Sequence, residues 1–109
     1  MSGLPPVFQA MRDSYPAVWD SQWEMNQQCD QSGPLDERTR ELIKVAVLAA
    51  AGYEQSVKGH TAMALAAGAT ADEVRQAILL LAGPVGIPAV AYALSWAEEA
   101  IRLTAVEAG

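Results

Sequence analysis

Residues 36–68 read DERTRELIKVAVLAAAGYEQSVKGHTAMALAAG, and the fold can be predicted outward from this stretch. Asp36 is suited to cap a helix, because its carboxylate can accept a hydrogen bond from a backbone N–H of the first turn. Glu37 follows in that turn, where the helix dipole favours a negative charge. The helix should end near Gly52, and the residues spaced along one of its sides are Glu41, Leu42, Val45 and Leu48.

Similar signals predict five further helices. One should cover residues 53–67, after which Gly68 permits a left-handed stop. Thr70 and Glu73 can form a capping box, in which each side chain accepts a hydrogen bond from a backbone N–H, so a helix is expected over 71–82. Prolines suited to a first turn precede or begin helices at about 7–14, at about 17–28 and from 88 to beyond 101. The last of these has four residues spaced for one face: Val90, Leu94, Ala97 and Ile101.

The composition supports an all-α fold. The chain has 109 residues, of which 51% are hydrophobic, but 21 are alanine and only 6% are aromatic. Alanine has the highest helix propensity, and no alternating strand pattern occurs. We therefore expect a single domain over residues 1–109, folded as a compact, close-packed bundle of about six helices.

Charge and cysteine content exclude several classes of function. The net charge is −6 and no run of basic residues occurs, so a nucleic-acid partner is not expected. The one cysteine, Cys29, allows neither an internal disulfide nor a cysteine-based metal cluster. A single histidine with scattered carboxylates is a poor metal site, so no metal or other cofactor is predicted. No basic-then-apolar leader opens the sequence, which predicts a cytoplasmic protein.

Residues 77–97 contain no charge and are long enough to be mistaken for a membrane span. Gly83, Pro84, Gly86 and Pro88 interrupt this segment and should divide it between two helices. We expect no membrane span. An apolar helical hairpin in so small a chain instead suggests burial against further copies of the same chain.

One helix carries the side chains best suited to chemistry. Tyr53, Ser56 and His60 project within about 60° of one another at 100° per residue, so they share a face of the helix over 53–67. A phenol, a hydroxyl and an imidazole placed together can relay protons, because imidazole titrates near neutrality. On the opposite side, Glu54 and Lys58 should form a solvated ion pair.

Two other interpretations of these residues stay open at this point. His60 could be a partly buried structural histidine, with its ring hydrogen-bonded to the fold. Ser56 could act as a nucleophile with His60 as its base, although the sequence around it lacks a glycine elbow.

The chain resembles the carboxymuconolactone decarboxylase and alkylhydroperoxidase D family. Its matching parts occur in the family's order along residues 35–101: 35–43, 52–61, 64–70, Glu73, and the glycine-rich turn and helix start at 83–93. The last of these is similar to the small single-domain members. The resemblance implies an all-α fold of the alkylhydroperoxidase D type, assembly into homotrimers or homohexamers, and a pocket between subunits.

Peroxidase-type members have a glutamate in an Arg-Glu-Leu-Ile stretch, followed by Cys-x-x-Cys-x-x-x-His. The resemblance places the glutamate at Glu41 and the histidine at His60, whereas Tyr53 and Ser56 occupy the two cysteine positions. Peroxide reduction requires a reactive thiolate and a second thiol that resolves it as a disulfide. Neither serine nor tyrosine can replace that chemistry, so thiol peroxidase activity is not expected.

The decarboxylase branch of the family also lacks the cysteine pair and keeps the histidine, but it usually has an acidic residue where this chain has Ser56. The resemblance therefore implies a non-redox acid–base enzyme of the lyase or proton-transfer type, acting on a small, carboxylate-bearing substrate. His60, Glu41 and Ser56 would be catalytic, and Tyr53 would bind substrate. The alternative is a non-catalytic oligomeric protein that keeps the fold for binding or scaffolding.

Overall fold

The computed structural model describes residues 4–108, and within them it contains six α-helices and no strand. In chain order the helices are α1 (Pro6–Ser14), α2 (Pro16–Asp30), α3 (Glu37–Ala51), α4 (Glu54–Ala66), α5 (Ala71–Leu79) and α6 (Ile87–Ala108). A short 3₁₀ turn, Leu80–Ala82, follows α5. The all-α prediction is confirmed.

The helix ends follow the capping signals of the sequence. Asp36 accepts a hydrogen bond from the Thr39 backbone N–H at 2.8 Å and starts α3. Gly52 ends that helix in the left-handed conformation, at φ 81°. At α5, the Thr70 hydroxyl accepts from the Glu73 N–H at 3.1 Å, while the Glu73 carboxylate accepts from the Thr70 N–H at 2.9 Å. Each of these contacts spans only a few residues, which is why the sequence predicts them well.

The contacts group the chain into two units, one up to Leu35 and one from Asp36 onward. In the first unit α1 packs against α2. In the second unit α3 packs against α4, α4 packs against α6, and α5 contacts both α3 and α6. The single domain over residues 1–109 stays a prediction.

The core of the second unit is built from small side chains. Its fully buried members combine four branched residues with alanines: Val45, Val57, Val74, Ile78, Ala64, Ala93 and Ala97. Because alanine adds little bulk between helix axes, such a core lets neighbouring helices approach closely. A polar side chain on α3 can then reach a side chain on α4.

The charge-free segment is divided as the sequence predicts. The 3₁₀ turn follows α5, and Gly86 adopts φ 119°, a conformation that favours glycine, immediately before α6 begins. No helix among the described residues is long and apolar enough to cross a membrane.

Two helix predictions differ in detail from the structure. The last three residues predicted for α5 form the 3₁₀ turn, which tightens the chain before the glycines. On α6 the expected residues Val90 and Ala97 are buried, but Ala93 and Ala100 complete the buried face, while Leu94 and Ile101 pack at its margin. The buried face of α6 is thus mostly alanine, whose small side chain lets neighbouring helices pack closely.

Candidate active site

Glu41 is a buried acid on the core side of α3. Its side chain is only 6% exposed, because it lies one turn before the core residue Val45 on the same face of the helix. A carboxylate withdrawn from water in this way is costly unless a partner compensates its charge or donates a hydrogen bond to it. The two carboxylate oxygens of Glu41 therefore need partners among the neighbouring side chains.

His60, on α4, contacts one of those oxygens. Its Nδ1 lies 2.6 Å from Glu41 Oε2, and its side chain is 25% exposed. A carboxylate accepts hydrogen bonds, so the contact assigns a proton to Nδ1 and fixes the ring orientation. Nε2 is then the ring nitrogen with which the imidazole can exchange a proton with a ligand.

Lys44 lies near the other oxygen of Glu41. Its Nζ is 4.0 Å from Glu41 Oε1, which is a charge contact longer than a hydrogen bond, and its side chain is 24% exposed. The buried carboxylate thus lies between an imidazole and an ammonium, and both of these groups reach solvent. The sequence interpretation missed Lys44, although its i, i+3 spacing from Glu41 on α3 was a usable signal.

The structure does not draw the other two predicted site residues into this contact. Ser56 is half-buried on α4, one turn before His60, and Tyr53 occupies the N-cap position of the same helix without a side-chain cap, with 62% of its surface exposed. Within residues 4–108, neither side chain hydrogen-bonds to Glu41 or His60. Catalysis by Ser56 and substrate binding by Tyr53 stay predictions.

The one cysteine of the sequence is not on either of the helices that carry Glu41 and His60. Cys29 is exposed on α2. Among the described residues, no group of three or more His, Cys, Asp or Glu side chains is arranged to hold a metal ion.

Lys58 secures the helix that carries His60. The ion pair with Glu54 that the sequence predicts is present, but Lys58 is largely buried rather than solvated, because it also bridges to α6. Its Nζ lies 2.8 Å from Glu99 and 2.9 Å from Glu54, and its side chain is 13% exposed. Hydrogen bonds to Glu99, which has the larger effect, and to Glu54 raise the pKa of Lys58 above its usual value. The bridge holds α4 to α6 on the side of α4 opposite His60.

Comparison with known proteins agrees with the resemblance noted in the sequence. The sequence profile of the carboxymuconolactone decarboxylase family matches residues 16–99. A curated relative, 4-carboxymuconolactone decarboxylase of Acinetobacter baylyi, is 35% identical over 68 residues, which is 62% of this chain and 51% of the relative. The matched segment therefore spans about half the length of that enzyme.

A solved structure extends the likeness to the fold. A protein from Burkholderia xenovorans LB400, provisionally described as a carboxymuconolactone decarboxylase, has a TM-score of 0.77 and 25% identity. The similarity covers 96% of this chain and 85% of that one. Because the family profile spans most of the sequence and the fold agrees, the chain belongs to the carboxymuconolactone decarboxylase family.

Proposed function

We propose that the chain is a non-redox acid–base enzyme, in which Glu41 and His60 exchange a proton with a small, carboxylate-bearing substrate. The observation that carries the proposal is the 2.6 Å contact between a buried carboxylate and a partly exposed imidazole. A histidine that served only to fill space would not require an acid to be buried behind it. The family and the name of the Acinetobacter relative support a decarboxylation.

Glu41 places a negative charge beside the imidazole in this scheme. When the ring is protonated, Nδ1 donates its hydrogen bond to Glu41 and Nε2 carries the proton that can be transferred. The same hydrogen bond keeps the ring oriented during the reaction. Glu41 acts through His60 and is therefore a positioning residue.

His60 and solvent supply every proton that the chemical step needs. The bond between a substrate carbon and its carboxylate breaks, CO₂ leaves, and the electron pair stays on that carbon or on atoms conjugated with it. His60 then donates the Nε2 proton to this electron pair, and solvent returns a proton to the ring. General acid help of this kind contributes about 10²–10⁴-fold to a rate.

Ser56 and Tyr53 complete the proposal as groups that orient the substrate. Ser56 lies on α4 and Tyr53 at the N-cap position before it, both within two turns of His60, and the hydroxyl of either can donate or accept a hydrogen bond. Ser56 replaces the acidic residue usual in the decarboxylase branch, so this chain would rely on Glu41 for the negative charge beside the imidazole.

The test measures CO₂ release from 4-carboxymuconolactone, the compound in the name of the Acinetobacter relative. We expect His60→Ala to reduce kcat by about 10²–10⁴-fold and Glu41→Gln to reduce it less, because the amide keeps the shape but loses the charge. Glu54→Gln, the same change at an exposed position of α4, should retain the full rate.

Failure of this assay has a defined meaning. If the wild-type protein releases no CO₂ from the lactone, the decarboxylase assignment is wrong for this chain. If it does so and His60→Ala works at the full rate while folding normally, the proton-transfer role is wrong, and the non-catalytic interpretation of the fold is favoured.

We also propose that the chain self-associates as a homotrimer or homohexamer. Several large apolar side chains around the α5–α6 turn are exposed to solvent in the single chain: Leu79, Leu80, Val85, Ile87 and Tyr92. An apolar surface of this kind is costly in water, and a further copy of the chain is the partner that is always present.

A further inference from the structure

We propose that α2 packs antiparallel against α2 of a second copy of the chain, with a two-fold axis near Gln22. The inference does not depend on the proposed acid–base chemistry. It adds a second surface to the self-association proposed above. It also selects the homohexamer over the homotrimer, because a contact of a surface with its own copy requires an even number of chains.

One side of α2 carries a row of uncharged, exposed residues. From the N-cap residue Tyr15, steps of three, four, three and four residues lead to Val18, Gln22, Met25 and Cys29. Tyr15, Val18 and Met25 are 57% to 61% exposed, and the other two are exposed as well. Alternating steps of three and four are the spacing with which two helices interlock in a coiled coil. We call these five residues the α2 seam.

The packing of α1 on α2 leaves the seam open. The rings of Phe8 and Trp19 have centroids 6.3 Å apart, and Trp19 projects about 80° from the middle of the seam at 100° per residue. No residue of α1 or α2 is buried, although the two helices have 9 and 15 residues. Helices of this length are marginal in water without packing. The exposed seam is therefore suited to pack against a further helix.

Gln22 is the middle residue of the seam. Tyr15 and Cys29 lie seven residues before and after it, so an antiparallel pair buries the whole seam only when the two helices cross near Gln22. The two Gln22 amides then meet, and each can donate to and accept from the other. A single polar residue in an apolar seam fixes the register of a helix pair. Antiparallel packing also opposes the two helix dipoles.

The charge distribution favours a second copy of the chain as the occupant. Because the net charge is −6, two copies repel each other unless they meet through an uncharged surface. The seam has no charged residue. Asp20 and Glu24, which lie between its ends in the sequence, project about 140–180° away from it. Like charges are thus kept out of the contact.

The area of the seam indicates one contact within a larger assembly. Its exposed surface is roughly 500 Å² per chain, so a pair buries roughly 1,000 Å², the lower limit for a specific protein–protein contact. A dimer held by α2 alone would be weak. The apolar surface around the α5–α6 turn is a separate part of the sequence and can supply the further contacts of a hexamer.

Cysteine cross-linking tests the pairing directly. The sequence has one cysteine, so Cys29→Ser provides a thiol-free background. Packed helix axes lie about 8–10 Å apart and Cα atoms about 2.3 Å from each axis, so the two Cα atoms at position 22 approach to about 4–6 Å, which a disulfide spans. We expect Gln22→Cys in this background to form a covalent dimer when oxidised with diamide.

Two controls fix the side and the direction of the contact. Gln27→Cys in the same background lies about 160° around the helix from the seam and should give about tenfold less dimer. Wild-type Cys29 should also stay largely uncrosslinked, because antiparallel helices that cross near Gln22 hold the two thiols about 20 Å apart. The proposal is wrong if Gln22→Cys forms no more dimer than Gln27→Cys. It is also wrong if wild-type Cys29 forms the dimer instead, since the helices would then be parallel.

Light scattering coupled to size exclusion gives a second readout. Val18→Glu puts two charges into the paired seam and should halve the mass, whereas Gln27→Glu should leave it unchanged. Circular dichroism checks that both variants stay helical. An unchanged mass for a helical Val18→Glu variant, or a wild type with an odd number of chains above one, would overturn the α2 contact alone. A wild type with the mass of one chain would overturn both this contact and the self-association proposed above.

Discussion

The Glu41–His60 contact should contribute measurably to the stability of the fold. A hydrogen bond that involves a charged group contributes about 1.5–3 kcal/mol when it is sheltered, and less where water competes. The Glu41 side chain is 6% exposed but that of His60 is 25% exposed, so we expect the coupling between them to be about 1–2 kcal/mol.

A double-mutant cycle isolates this coupling. Urea unfolding would be followed by circular dichroism for the wild type, Glu41→Gln, His60→Ala and the double variant at pH 7. The free energy lost in the double variant should be smaller than the sum of the two single losses by about 1–2 kcal/mol. The reason is that either single change already removes the contact.

The chain provides a matched control pair. Glu54 and Lys58 are also an acid and a base in contact at 2.9 Å, but Glu54 is 47% exposed, and Lys58 keeps a second partner when Glu54 is lost. Their coupling should be about 0.5 kcal/mol or less. A Glu41–His60 coupling as small as that of the control pair would refute the claim that the buried carboxylate depends on the imidazole.

Two further outcomes are expected. Lys58→Met should lower Tm most at neutral pH: the hydrogen bond to Lys58 lowers the pKa of Glu99, and the bond to Glu99 raises the pKa of Lys58. Their stabilisation is present between the unfolded pKa values of about 4.3 and 10.4, and it is lost as pH falls through the folded pKa of Glu99 or rises through that of Lys58. A Tm difference from wild type that does not vary between pH 2 and pH 11 would contradict the bridge. Ile87→Glu, at a position 66% exposed in the single chain, should shift the protein to a smaller species in light scattering coupled to size exclusion, whereas an unchanged mass would exclude Ile87 from a subunit contact.

Much of the helical organisation could be predicted from the residues alone. The Asp36 cap, the Gly52 stop and the Thr70–Glu73 capping box are hydrogen bonds or backbone conformations confined to a few neighbouring residues. The helices whose ends these signals mark therefore lie where the sequence pattern predicts. The candidate site was less accessible to this reasoning. Helical spacing could group His60 with Ser56 and Tyr53, but its association with Glu41 came from the family resemblance.

Local chemistry along the chain was thus enough to predict an all-α fold and the helix ends, and the family resemblance added that the peroxidase cysteines are missing from their motif. It could not establish that His60 would contact Glu41, nineteen residues earlier, while Ser56 and Tyr53 would not, nor that Lys44 would lie beside the same acid and Lys58 would reach α6. Those contacts join different helices or depend on the depth at which a side chain is buried. They exist because an alanine-rich core brings α3, α4 and α6 close together, and that proximity is a property of packing that no short stretch of sequence contains.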